Sequence, residues 1–142
     1  MAEPVDTATL IRLEREAQAR CQSAISGVSA EAKRSDSWSL HEVVAHVTAW
    51  HRFAAERLGE LAAGGGGKSV DADAINTDVQ TQAAERSWQE IVAEAEAAHT
   101  AFLRAVEAFP EEMLGDNDGL AAFVIGVNGA DHYEEHLADF AV

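Results

Sequence analysis

The sequence predicts an all-α fold, a single four-helix bundle. Three observations lead there. Apolar residues recur at steps of three and four along four long stretches, which gathers them on one face of a helix. No stretch alternates apolar and polar residues between hairpin turns, so there is no strand signal. Only 2 prolines interrupt 142 residues, and alanine, the strongest helix former, is abundant. The length fits one domain over residues 1–142, enough for one core.

The first helix is expected over residues 7–26, capped by Asp6 or Thr7. Its stripe is Leu10, Leu13, Ala17, Cys21, Ala24 and Val28, and Gly27 is a natural stop. Residues 29–37 read as a polar turn. Ser39-Leu40-His41-Glu42 is a capping box, in which the serine accepts from the backbone three residues on and the glutamate reaches back. A second helix follows over 40–62, with Leu40, Val44, Val47, His51, Ala54, Leu58 and Leu61 on its stripe. His46 lies at the edge of that face, in line with Trp50 and Phe53.

Gly64 to Gly67 then break the chain, since four glycines support no helix. Gly67-Lys68-Ser69 imitates the tail of a phosphate loop, but the strand that must precede one is missing. A short helix is expected over 73–85. A third long helix, capped by Ser87 and Glu90, covers 87–108 with Trp88, Val92, Ala95, His99, Phe102, Val106 and Phe109 inward. Residues 115–119 form a loop with Asp118 as a candidate cap. The fourth helix is expected from 120 nearly to the end, with Ala122, Ile125, Gly126, Gly129, His132, Tyr133, His136, Leu137 and Phe140 on one face. Leu120, Val124 and Val127 form a second apolar patch, suited to covering a loop or a partner subunit in a homodimer.

Charge narrows the partners. Ten Lys+Arg stand against 25 Asp+Glu, a net charge of −15. Nucleic-acid binding needs a clustered basic surface, and an anionic membrane needs a polybasic one, so neither is expected. No apolar run approaches the roughly 20 residues of a membrane span. The first sixteen residues lack a basic-then-apolar leader, and the expected location is the cytoplasm. A single cysteine, Cys21, leaves no internal disulfide and no cysteine-built metal site; it reads as a small core residue.

Chemistry concentrates in Asp131-His132-Tyr133-Glu134-Glu135-His136. Four residues turn a helix through about 400°, so His132 and His136 leave the same side, close enough for one divalent metal to bridge. With 6 histidines in 142 residues, roughly 0.25 such pairs arise by chance, so the spacing alone is weak. Their place on an apolar face adds weight, because desolvated imidazoles need a partner, and a metal or a core hydrogen bond supplies one. A metal needs a third ligand. His46 and His51 lie at compatible depth on the second helix, about 140° apart, so one ion is not expected to take both. His99 reads as a core or pocket residue, and His41 as solvated.

The chain resembles the DinB-like (DinB/YfiT) superfamily of metal-binding helical bundles. The resemblance rests on Trp38-Ser39-Leu40-His41-Glu42, on Ala45-His46-Val47-Thr48-Ala49-Trp50, on Ile75-Asn76, on Arg86-Ser87-Trp88-Gln89-Glu90-Ile91 and on the histidine pair near the end. It implies a divalent metal (Zn, Ni or Fe) held by His46, His132 and His136. It also implies a long crossover, including residues 63–72, between helices two and three, which then run parallel. The activity implied is that of a metal-dependent hydrolase or a low-molecular-weight-thiol-dependent transferase acting on a small electrophilic molecule. The alternative is a non-catalytic module that sequesters a small molecule or a metal. Trp50 and Asn76 are expected to line the pocket, and His51 and Tyr133 are the nearest candidates for proton transfer. Relatives of this kind often carry a carboxylate after Trp50, where this chain has His51.

Overall fold

The computed structural model describes residues 6–27, 38–65 and 70–140; for residues 137–140 it describes the helical backbone alone. In chain order the helices are α1 (Thr7–Ile25), α2 (Leu40–Ala62), α3 (Ala72–Ala83), α4 (Trp88–Ala108), α5 (Asp116–Asn128) and α6 (Ala130–Phe140), with a 3-10 turn at Glu111–Met113. No strand occurs among the described residues. The first four match the expected stretches to within two residues at either end. Val28, the turn at 29–37, Gly66-Gly67-Lys68-Ser69 and the side chains of Leu137 and Phe140 lie outside what is described.

Side-chain caps explain where the helices start. Asp6 accepts from the Thr9 N–H at 2.7 Å. Ser39 accepts from the Glu42 N–H, and the Glu42 carboxylate accepts from the Ser39 N–H, both at 3.2 Å, so the capping box is complete. Ser87 accepts from the Glu90 N–H at 3.1 Å and Asp71 from the Ala74 N–H at 3.0 Å. Each satisfies a donor the helix cannot, worth about 1 kcal/mol. Gly27 ends α1 with a φ of 79°, a conformation glycine adopts without strain.

α2 packs chiefly on α4, and α1 chiefly on α6. The buried apolar residues form two clusters. One gathers Leu10, Ala54, Leu58, Phe102, Val106 and Ile125. The other gathers Ala17, Cys21, Leu40, Val47, Ile91 and Tyr133. A polar layer lies between them. On α1, Glu14 falls between Leu10 and Ala17; on α2, His51 falls between Val47 and Ala54; on α4, His99 falls between Ala95 and Phe102. All three are buried.

Several expectations need correcting. Leu13 is 42% exposed, and its neighbour Glu14 takes the inward place. The last helix is not continuous: the chain breaks at Gly129, whose φ of −112° and ψ of −108° are not helical. The cause is a close approach. A Cβ on Gly129 would collide with Glu14 Oε2, and would meet the Ile125 carbonyl at 2.7 Å and the Phe102 ring at 3.0 Å. The break resets the helix frame, so the buried face of α5 is Ala121, Val124, Ile125 and Asn128. Leu120 and Val124 therefore serve the core, while Phe123 and Val127 stay exposed. Asn117, Asp118 and Gly119 have left-handed, non-helical backbone, so a turn does interrupt the chain within the loop expected at 115–119, and the regular part of α5 follows it.

Two glycine replacements separate these effects. Gly129→Ala is expected to cost about 1–3 kcal/mol through overpacking. Gly59, exposed on α2 with open space at its Cβ position, is expected to gain about 0.5–1 kcal/mol on replacement by alanine. Urea denaturation of both variants checks the contrast; equal stabilities would contradict the close approach at Gly129.

Candidate metal centre

α2 supplies His46, and α6 supplies His132 and His136 one turn apart. Ring centroids are 4.8 Å apart for His46–His132, 5.0 Å for His46–His136 and 4.8 Å for His132–His136. One ring nitrogen from each lies within 4.8 Å of the others, so the group could hold a metal ion. His46 and His132 are buried, and His136 is partly exposed. Trp38 closes one side, edge-on to His46 at 5.2 Å.

Hydrogen bonding fixes the state of His46. The Trp50 indole N–H donates to Asn76 Oδ1 at 3.0 Å, which establishes that atom as the oxygen. The same oxygen lies 3.0 Å from His46 Nδ1. An oxygen there can only accept, so Nδ1 carries the ring proton and Nε2 of the neutral ring is a bare lone pair. That lone pair faces His132 Nε2 at 3.0 Å. His132 Nδ1 is buried and has no hydrogen-bond partner. Burial, followed by the charges His46 and His136 would carry, pushes His132 down to about 3, so it stays neutral at ordinary pH. Neutral imidazoles converging on one point, one of them oriented from behind, suit a divalent cation. Asn76 and Trp50, expected to line a pocket, form a hydrogen-bonded chain that ends on His46 and orients it.

His51 and Tyr133 belong to a different neighbourhood. His51 Nε2 lies 2.8 Å from Glu14 Oε1, and its Nδ1 lies 3.0 Å from the Val47 carbonyl. His99 Nδ1 lies 3.1 Å from the same carboxylate oxygen. Tyr133 packs on His51 with centroids 5.0 Å apart. Burial works against the charge on Glu14, but the hydrogen bonds and charges of His51 and His99 outweigh it and lower its pKa. The Tyr133 phenol is pushed up, mainly by burial and then by Glu14, and remains a donor. Burial pushes the Cys21 thiol up to about 12, and its Sγ donates to the Tyr133 carbonyl at 3.6 Å, which suits a packing role. A cavity of about 110 Å³ reaches His51, Tyr133, Thr48 and Cys21. No ligand of the three-histidine group lines it. His41, expected to be solvated, is half-buried, with Nε2 donating to the Arg86 carbonyl at 2.8 Å.

Sequence reading missed Glu14. A signal was present: Leu10, Ala17 and Cys21 make a ladder of seven and four, and residue 14 completes it. A carboxylate in a core position calls for buried partners.

The molecule is thus an all-α protein with grouped buried histidines that could hold a metal. The chain matches the DinB superfamily model over residues 15–126, and it belongs to that superfamily. No curated protein and no solved structure matches it. The family match ends before α6, so His132 and His136 are supported by geometry alone. No helix among the described residues is long and apolar enough to cross a membrane.

The shift of His132 has a pH consequence for the metal-free protein. Its folded value, about 3, lies below the ordinary 6.5, so the unfolded chain binds more protons between them. This group's contribution is complete above pH 6.5 and falls as pH drops toward 3, by at most about 1.4 kcal/mol per unit. His132→Gln is expected to flatten the stability profile between about pH 6.5 and 5, where few carboxylates titrate. Denaturant melts at several pH values check this; an unchanged slope would mean that His132 is not a buried neutral ring.

Proposed function

We propose that this protein is a divalent-metal-dependent enzyme of the DinB superfamily, a hydrolase or low-molecular-weight-thiol-dependent transferase acting on a small electrophilic molecule. The observation that carries the proposal is the convergence of His46, His132 and His136 within 4.8 Å, with Nε2 of His46 bared by Asn76. A divalent ion held by three neutral imidazoles keeps its positive charge and an open position, so it can acidify a water or a thiol or polarise a carbonyl.

The remaining roles follow from the chain's own groups. Asn76, held by Trp50, orients His46 and keeps its proton on Nδ1. Trp38 and Trp50 shield the histidines from bulk water, which strengthens electrostatic interactions there. The Tyr133 phenol, a donor in the neighbouring cavity, is the group assigned to proton transfer; His51 lines the same cavity, but Val47 and Glu14 engage both of its ring nitrogens. The net charge of −15 favours neutral or cationic substrates over anionic ones.

We read the architecture as a four-helix bundle in which α5 and α6 together form the fourth member. His41 at the start of α2 meets Arg86 just before α4, and Leu58 and Leu61 near the end of α2 share a core with Val106 and Phe109. That pattern supports parallel α2 and α4, with residues 63–71 and α3 as the long crossover.

Metal binding and turnover test the reading in sequence. Zinc at 100 times its Kd is expected to stabilise the protein by about 2.7 kcal/mol, since it binds only the folded state. His136→Ala is expected to remove the stabilisation given by this centre, and Asn76→Ala to weaken zinc about 10–100-fold. Loaded protein is then assayed with activated esters, and with electrophiles plus small thiols. Multiple turnovers support the enzyme; capture without turnover would make it a binding module, and no zinc effect at all would remove the metal centre.

A further inference from the structure

We propose that Glu14, His51 and His99 form a second divalent-metal site, separate from the three-histidine centre. A backbone contact places the proton on His51. Its Nδ1 faces the Val47 carbonyl at 3.0 Å, and a carbonyl can only accept, so Nδ1 is protonated. In the neutral ring Nε2 is then a lone pair, yet it faces Glu14 Oε1 at 2.8 Å. A lone pair and a carboxylate oxygen do not sit so close inside a protein without a positive centre between them. Either a proton or a metal ion supplies it.

Three observations favour the metal. First, a proton shared between His51 and Oε1 does nothing for Glu14 Oε2, which is buried and unpartnered. A divalent ion takes both oxygens of one carboxylate, together with His51 Nε2 and His99 Nδ1. Second, the donors already converge: the carboxylate oxygen and the two ring nitrogens lie within 4.8 Å of one another. Two histidines and a glutamate are a donor set that zinc accepts, and His51 already shows the arrangement usual for a ligating ring, with its far N–H donated to a backbone carbonyl. Third, there is a route. The cavity that reaches His51 is lined elsewhere by the exposed residues Gln22 and Glu96. Binding would displace the proton held between His51 and Glu14, so uptake is expected to weaken as pH falls.

The test is ion counting on the full chain. Protein is loaded with excess zinc sulfate, desalted and assayed for zinc per chain, with folding of each variant checked by circular dichroism. Wild type is expected to hold two ions, the His132→Ala/His136→Ala double variant one, and Glu14→Gln one. Cobalt loading of the same double variant is expected to give visible bands of a nitrogen/oxygen site, a readout that does not depend on Glu14→Gln folding. One zinc in the wild type with none in the double variant would overturn the proposal and leave a proton-bridged pair. One zinc that survives in the double variant and is lost in Glu14→Gln would support this site while counting against the three-histidine centre.

Discussion

Buried imidazoles that face an acceptor must have their charge and protons accounted for, and this constraint shapes the whole interior. A ring nitrogen cut off from water either donates, accepts or binds a cation. Here two carbonyl oxygens settle the question for two rings. Asn76 fixes the proton of His46, and Val47 fixes that of His51. The opposite nitrogen, left unprotonated in the neutral ring, faces a ring nitrogen of His132 in the first case and a carboxylate oxygen of Glu14 in the second. The two arrangements are independent in sequence and alike in logic.

Helix geometry allows both on the same scaffold. His46 and His51 are five residues apart on α2, about 140° around the axis, so one points toward α6 and α3 while the other points toward α1 and α4. His132 and Tyr133 divide α6 in the same way: the first meets His46 and the second packs on His51. α2 and α6 are therefore shared walls of two polar centres. The second centre lies between two apolar clusters, where a carboxylate and two histidines occupy positions that leucine or alanine would fill in a purely structural helix packing. Gly129 completes the arrangement by letting the backbone approach Glu14, and the resulting break sets the direction from which α6 presents His132.

Much of this was legible in the sequence. Helix limits followed from period and caps, because Ser39 with Glu42, Ser87 with Glu90, and Asp6 act over three residues and need no tertiary information. The pairing of His132 with His136 followed from helical spacing, and the choice of His46 over His51 from family resemblance. Other features were not legible. Leu13 and Glu14 are neighbours on α1, and hydrophobicity favoured the leucine as the inward residue; the partners that make a buried glutamate affordable come from α2 and α4, 37 and 85 residues away. Gly129 looked like one small residue in a helical stripe, because the oxygen it must clear belongs to another element. His41 found a backbone carbonyl before α4 that no local pattern announces.

The departure at residue 51 now has a structural setting. Its ring is tied to Glu14, so a carboxylate is present in this neighbourhood, contributed by α1 rather than by α2 itself. The most direct measurement for the account as a whole is long-range ¹H–¹⁵N correlation of the histidine rings at neutral pH, with and without zinc, assigned by single replacements. His46 is expected to be protonated on Nδ1 and not on Nε2, and the ring nitrogens of His46, His132 and His136 to shift together when zinc is added. A proton on Nε2 of His46, or rings that ignore zinc, would contradict this expectation.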